Sequence, residues 1–353
     1  MSGGIAQLVA VGAQDVHLVG QPEVSFFRST YKRHTNFSQT VERQVIQGNV
    51  SANGMSTVRF ERKGDMLTYV YLMPIKGNGT GANSFTTNWS TVIDKVELLV
   101  GGQVIDDQDV TYSTLIAPTL SATSSSKSMS SQLYDGINAS SFYPLRFAFC
   151  ENWQSAIPLV SLQYHDVELR ITWGANAAGS KWEVYANYAY LDTQEREMFV
   201  STPQNMLITQ VQKATASSQK IQELNFNHPV KYLCAGNASG VNILGNDGTT
   251  DNKIKLQING TDVADFKFGV PNFSAVPLYY HTSHGNSTPG ADLFVYPFCL
   301  DTGKHQPTGS LNFSRLDSAR IVNDRNSSND AIYAVNYNIL RIENGMGGLL
   351  YSN

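Results

Sequence analysis

Lys95-Val-Glu-Leu-Leu-Val-Gly101-Gly102 and Lys253-Ile-Lys-Leu-Gln-Ile-Asn259-Gly260 carry one pattern twice, 158 residues apart. Apolar positions correspond one for one: Val96 with Ile254, Leu98 with Leu256, Val100 with Ile258. Alternation with period two predicts a half-buried strand. Gly-Gly and Asn-Gly both accept the positive φ angles of a two-residue hairpin turn. Gly101, Gly102, Asn259 and Gly260 are therefore expected to close two equivalent hairpins. A second pair follows in the same order: Phe149-Cys150, Pro158, Leu162 and Tyr164 against Phe298-Cys299, Pro307, Leu311 and Phe313, at a constant offset of 149. Two ordered matches at similar offsets predict homologous domains in tandem. Pro158 and Pro307 should then occupy equivalent positions, at or before a strand.

Strand signals dominate elsewhere. Val167, Leu169, Ile171 and Trp173 alternate with Glu168, Arg170 and Thr172, and Trp182, Val184, Ala186, Tyr188 and Tyr190 are expected on one face of another strand. Helical signals are few; residues 110–119 suit a short helix or turn. The 353 residues are 41% hydrophobic and only 15% charged, with 17 Tyr and 16 Phe. That composition suits many short strands joined by polar turns. The predicted fold class is all-β: two tandem eight-stranded jelly-roll sandwiches, a double jelly roll. The expected division is an N-terminal arm over 1–24, a first jelly roll over 25–203, a linker over 204–216 and a second jelly roll over 217–353. Residues 121–132, rich in Ser, read as an exposed loop of the first domain, and 245–252 as a polar turn of the second.

Formal net charge is −4 and no basic face is evident, which argues against direct nucleic-acid binding. The basic cluster around Tyr31-Lys32-Arg33 reads as a solvated segment. Cys150, Cys234 and Cys299 lie far apart and are odd in number, so neither a disulfide framework nor a zinc knuckle is indicated; buried reduced thiols are expected. The N-terminal stretch lacks a basic n-region, and no apolar run reaches the ~20 residues of a membrane span. Synthesis in the host cytoplasm is the corresponding expectation. Residues 1–24 hold Gly3, Gly4, Gly12 and Gly20 between short apolar runs, a pattern too short and interrupted for an independent helix. The first clear strand is expected near Phe37–Ile46.

Several longer motifs resemble one family. Gly12-Ala-Gln-Asp-Val-His-Leu-Val-Gly20, Phe26-Phe27 and Tyr31-Lys-Arg-His34-Thr-Asn-Phe37 look like the N-terminal signature of major capsid proteins of nucleocytoplasmic large DNA viruses, of phycodnavirus and iridovirus type. Arg62-Lys-Gly-Asp65-Met-Leu, Ile157-Pro-Leu-Val-Ser-Leu-Gln-Tyr-His165-Asp-Val, His305-Gln-Pro307-Thr-Gly-Ser-Leu-Asn-Phe-Ser-Arg315 and Gly345-Met-Gly-Gly-Leu-Leu-Tyr-Ser-Asn353 are similar to further family elements. The resemblance runs from residue 12 to the last. It implies a structural virion protein forming homotrimeric pseudo-hexagonal capsomers of an icosahedral capsid. The implied partners are itself, neighbouring capsomers, minor capsid proteins and an internal viral membrane on the inner face, with the N-terminal segment toward the interior. The chain is short for the family, so its surface loops are expected to be trimmed. The alternatives are a minor capsid paralogue or a glycan-binding jelly-roll surface protein.

Chemistry is sparse. His281-x-x-His284 lacks a third ligand, Asp247 and Asp251 lack calcium-loop spacing, and Ser125-Ser-Lys127 sits in a low-complexity loop. His165 and His305 read as structural histidines, and Arg62 and Asp65 as turn and salt-bridge residues. No phosphate loop or nucleophile elbow is present, so no catalytic, cofactor or metal residues are assigned and no enzyme activity is expected. Eleven Asn-x-Ser/Thr sequons occur, at Asn36, Asn49, Asn78, Asn88, Asn138, Asn237, Asn259, Asn272, Asn286, Asn312 and Asn326. A chain rich in Ser, Thr and Asn generates them freely, and they do not locate glycosylation.

Overall fold

The computed structural model describes residues 2–75, 89–124, 142–179, 181–236, 242–245, 252–282, 293–325 and 330–352. Most of the Ser-rich loop, the polar turn before Lys253, His284, Ser125 to Lys127, Asp247, Asp251 and the sequons at Asn78, Asn88, Asn138, Asn237, Asn286 and Asn326 lie outside the described residues. The chain divides into two compact units, Met1–Asn36 and Phe37–Asn353. Contrary to the glycine-based expectation, the first unit forms helices α1 (Ser2–Val9) and α2 (Val16–Val19). Gly3 and Gly4 fall in the first turn of α1, whose N–H groups lack intrahelical partners in any case, and the strong helix formers Ala6, Gln7 and Leu8 follow. Residues 25–36 form no strand, so the first jelly roll begins at Phe37 and not at 25.

Eight strands build the first sandwich: β1 (Phe37–Gln44), β2 (Met55–Arg59), β3 (Met66–Ile75), β4 (Ile93–Val100), β5 (Gln103–Asp109), β6 (Tyr143–Pro144), β7 (Val167–Trp173) and β8 (Lys181–Leu191). They form antiparallel sheets in the orders β1-β8-β3-β6 and β2-β7-β4-β5. Eight more build the second: β9 (Gln204–Ala214), β10 (Ile221–Glu223), β11 (Pro229–Gly236), β12 (Lys253–Ile258), β13 (Thr261–Asp262, resumed at Lys267–Phe268), β14 (Leu293–Pro297), β15 (Ala319–Asn323) and β16 (Ile332–Glu343). Their orders are β9-β16-β11-β14 and β10-β15-β12-β13. Adding eight to every strand of the first sandwich reproduces the second, so the fold is a double jelly roll. A last strand, β17 (Met346–Leu349), pairs with β16.

Alternation drives the strands as expected. β7 buries Val167, Leu169, Ile171 and Trp173 and half-exposes the residues between. β8 departs from simple alternation: a bulge between Ala186 and Tyr188 turns Asn187 inward as well, where it donates to Thr68 Oγ1 at 2.7 Å.

The hairpin match holds residue by residue. Val100 pairs with Gln103 around Gly101-Gly102, and Ile258 pairs with Thr261 around Asn259-Gly260. All four turn residues have positive φ. Gly101 N–H donates to the Asp166 carbonyl at 2.9 Å, and Asn259 N–H donates to the Ser318 carbonyl at 2.8 Å. The offset-149 match is out of register. Ile157-Pro158 pairs with Leu67 and Met66 of β3, whereas Leu311-Asn312 pairs with Val230 and Pro229 of β11. Ile157 therefore corresponds to Leu311, 154 residues on. Pro158 lies in this two-residue strand, while Pro307 is exposed, outside any strand and four residues before Leu311. The cause is an unequal connection: with Pro144 and Val295 equivalent, 13 steps separate Pro144 from Ile157 and 16 separate Val295 from Leu311.

Residues 204–216 are not a linker. Most of them form β9, paired with β16 over its whole length. Their polar side chains suit an edge strand that finds partners in the first sandwich: Gln210 donates to the Ile105 carbonyl, and Val211 N–H donates to Asp106 Oδ1 at 2.9 Å. The chain crosses between sandwiches through α4 (Thr193–Ser201), whose N-cap Asp192 accepts from Thr193 N–H at 2.8 Å.

Each sandwich has its own apolar core, and a third cluster joins them. Helix α3 follows β5 directly, as a π-helical turn (Tyr112–Ile116) continued by Ala117–Leu120. It lays Tyr112, Ile116, Ala117 and Leu120 on the outer face of β9-β16-β11-β14, against Val211, Tyr232, Cys234, Leu293, Tyr333 and Val335. That cover explains why Val230–Ala235 of β11 is buried on both faces. Ile116 is fully buried there. Ile116→Ala should lower the unfolding free energy by about 2–4 kcal/mol, read as a lower urea midpoint; an unchanged midpoint would contradict this role for α3.

Candidate assembly site

Three of the sequence motifs meet at one place. The 163–165 turn leading into β7, the Gly101-Gly102 hairpin and the C-terminal β16–β17 hairpin interlock. Tyr164 N–H donates to the Gly345 carbonyl at 2.9 Å. His165 Nδ1 lies 2.8 Å from the Gly347 carbonyl oxygen and 3.1 Å from the Gly347 amide nitrogen, so it serves as donor or acceptor according to tautomer. Leu349 N–H donates to Gln103 Oε1 at 3.2 Å. The approach is too close for side chains. A Cβ on Gly101 would sit 2.4 Å from His165 Nδ1, and one on Gly347 would sit 2.8 Å from Leu162 Cδ2. The structure thus clamps the C-terminus of the second sandwich onto the first.

The other motif residues hold neighbouring joints. Asp166 accepts from Arg59 at 2.6 Å and from Arg62 at 3.4 Å. Asp65 pairs elsewhere: its Oδ2 accepts from Leu191 N–H at 2.8 Å and from Arg196 of α4 at 3.0 Å. Arg62 and Asp65 are therefore both ion-pair residues, with different partners. His305 Nε2 lies 2.6 Å from Ser155 Oγ, bridging the two halves. Pro307 and Arg315 are exposed, and His34, exposed in the N-terminal unit, has Nδ1 2.7 Å from the Thr35 carbonyl. The motifs read separately in sequence are thus largely joints between sandwiches.

Sequence reasoning missed Asp106, which only tertiary pairing reveals. It is buried between the sandwiches and accepts from Val211 N–H at 2.9 Å and from Gln108 Nε2 at 2.8 Å. Burial pushes its carboxyl up to about 8, against the hydrogen bonds that favour the charged form. Nearby Asp109 accepts from Lys213 Nζ at 2.8 Å and from the Tyr333 hydroxyl at 2.5 Å, again across the seam.

Two apolar surfaces remain bare. On the outer face of β1-β8-β3-β6, Tyr71 stacks on Tyr185 with ring centres 5.4 Å apart and meets Phe142 edge-on at 5.8 Å, beside Tyr69 and Val41. On the second sandwich, helix α5 (Ala275–His281) exposes Val276, Tyr279 and Tyr280. No group of three or more His, Cys, Asp or Glu able to hold a metal occurs among the described residues. His281 Nδ1 lies 2.9 Å from the Cys299 carbonyl. Cys234 and Cys299 are buried, which pushes both thiols up, and Cys150 is half-buried. No described helix is long and apolar enough to cross a membrane.

Two family descriptions divide the chain. Residues 25–200 match the N-terminal part of major capsid proteins, and residues 195–348 match the large eukaryotic DNA virus major capsid protein. Their junction falls in α4. Over the full length of both chains, the sequence is 34% identical to the major capsid protein of Pyramimonas orientalis virus and 32% identical to that of Paramecium bursaria Chlorella virus 1. Those alignments run over 414 and 449 positions against 353 residues, so both relatives carry insertions that this chain lacks. The crystal structure of PBCV-1 VP54, fitted into a reconstruction of the virophage Sputnik, superposes with a TM-score of 0.75 at 28% identity, covering 93% of this chain and all of that one. The Faustovirus major capsid protein shares the fold, with a TM-score of 0.57 at 12% identity and 94% of each chain covered.

Two outcomes test the joint. Gly102 has open space around its would-be Cβ, so Gly102→Ala should cost only the left-handed backbone strain, about 1–2 kcal/mol. Gly101→Ala adds the collision with His165 and should unfold at a clearly lower urea concentration; equal midpoints would refute the clamp. Asp106 binds a proton in the folded state between its unfolded value and about 8, so it makes stability fall as pH rises from about 4 to about 8. Asp106→Asn should flatten that slope in urea titrations across this range.

Proposed function

Because this chain belongs to the major capsid proteins of large eukaryotic DNA viruses, we propose that three copies assemble into a pseudo-hexagonal capsomer of an icosahedral shell. Its structural role in a capsid is that of its family, and virion location follows. One observation carries the trimer: the two sandwiches have the same strand order in both sheets. Three copies of two like domains present six like edges around a three-fold axis, an outline that tiles a nearly hexagonal lattice.

The same reading divides the body into a first jelly roll from Phe37 through β8 and a second from β9 to the C-terminus, joined by α4. Neighbouring capsomers are its lateral partners. The arm, with Ile5, Leu8, Leu18, Phe26 and Phe27 exposed, suits docking beneath the shell on a neighbouring subunit, a minor capsid protein or the internal membrane. A net charge of −4 supports a shell role without direct nucleic-acid contact. Synthesis in the host cytoplasm and a non-enzymatic role complete the proposal.

Light scattering of the purified protein should give three times the chain mass, and a stable monomer under native conditions would sink the trimer. Deleting residues 1–24 should leave folded trimers and impair assembly into particles. Normal assembly of the truncated protein would contradict the role of the arm.

A further inference from the structure

The two bare surfaces are related to the buried one by the internal duplication. Aligning the sandwiches by strand register makes Val41 equivalent to Val211, because they face Asn187 and Val335 at matching places. Tyr185 is equivalent to Tyr333, and Tyr71 to Cys234, each pair facing the other across the sheet. Val211, Cys234 and Tyr333 lie under α3 of the preceding sandwich. Their counterparts Val41, Tyr71 and Tyr185 have no such cover in the body, and Val41 is 42% exposed.

The covering element is duplicated too. Asp109 and Phe268 sit opposite Lys95 and Lys253, so the strands that lead into α3 and into the 269–281 helices correspond with a separation of 159 residues. Carrying that spacing forward places Ala275, Val276 and Tyr279 where Ile116, Ala117 and Leu120 stand. The first set is exposed, with Tyr279 at 78%, and the second is buried. Each sandwich thus has a helix built to cover a sheet and a sheet built to be covered, and one of the two possible contacts is made within the chain.

We propose that the unmade contact forms between copies: α5 of one subunit docks on the outer face of β1-β8-β3-β6 of a second copy of this chain. This rests on the trimer reading and supplies its interface. Contacts from first to second sandwich within a chain then alternate with contacts from second to first between chains. The intermolecular contact is heterologous, and three repeats of it close the ring, leaving neither apolar face in water. Apolar against aromatic surface with no charged residue at its centre is the composition such an interface favours.

The test needs the trimer mass of the full chain as its starting point; a monomeric wild type would refute the trimer reading itself. Hydroxyl-radical footprinting of the wild-type trimer should show Tyr279, Tyr280 and Tyr69 protected from labelling. The double variant Val276→Asp, Tyr279→Asp and the separate variant Val41→Asp should each shift the protein from trimer to monomer mass. Both sites are exposed in the single chain, so the melting transition should survive. Variants that remain trimeric overturn the docking while leaving the trimer intact. If a variant fails to fold, the wild-type footprint decides alone: freely labelled Tyr279 and Tyr280 in the trimer overturn the proposal. Protection of Tyr69 with Tyr279 free assigns the sheet face to another occupant, such as residues 1–36, and likewise overturns it.

Discussion

The burial of α3 on the second sandwich is the contact on which the rest of the body depends. Two jelly rolls joined only through α4 would be separate domains with independent motion. Tyr112, Ile116 and Leu120 remove that freedom by covering Tyr232, Cys234 and Tyr333. Each large apolar side chain taken from water contributes roughly 1.5–3 kcal/mol, so a handful suffices to fix two sandwiches as one body. The cover also sets the composition of β11, which must be apolar on both faces, unlike β7, which faces its core on one side only.

Polar contacts then fix the angle that burial alone leaves loose. Hydrophobic contact is non-directional; hydrogen bonds across the seam are not. Asp106 meets the Val211 amide, Asp109 meets both Lys213 and Tyr333, and Ser155 meets His305. At the far end the C-terminal hairpin is held by His165, Tyr164 and Gln103. A shell subunit needs such rigidity, because small angular errors repeated across a lattice prevent closure. The residues that recur as motifs are accordingly joints more than chemistry, which agrees with the absence of a metal-type cluster among the described residues.

Duplication has been followed by divergence of outer faces. Val41 and Val211 are the same residue type at equivalent places, yet one is exposed and the other buried. The turns diverged for local reasons. Asn259 uses its Oδ1 to accept from Asp317 and Ser318 N–H groups at 2.9 and 3.1 Å. At the equivalent Gly101 the His165 ring occupies the space where any side chain would lie.

Much was legible in the residues themselves. Alternation in Val167–Trp173 and the Gly-Gly and Asn-Gly turns specify local geometry, and local geometry is encoded by adjacent residues. The hairpin repeat therefore revealed two like domains before any contact was known. The offset-149 match failed because apolar-Pro strings recur by chance, and register is decided by pairing with β3 and β11 across the sheet. Gln204–Ala214 looked like a linker because an edge strand tolerates polar residues whose partners, Ile105 and Asp106, lie about a hundred residues away. Asp106 itself has no signal in sequence, since its burial exists only once β5 meets β9. By itself the sequence determined the strands, the turns and the duplication, which depend on neighbours along the chain. Only the tertiary structure decided which faces are covered, which motifs meet and which carboxylate is buried, because those follow from contacts between segments far apart in the chain.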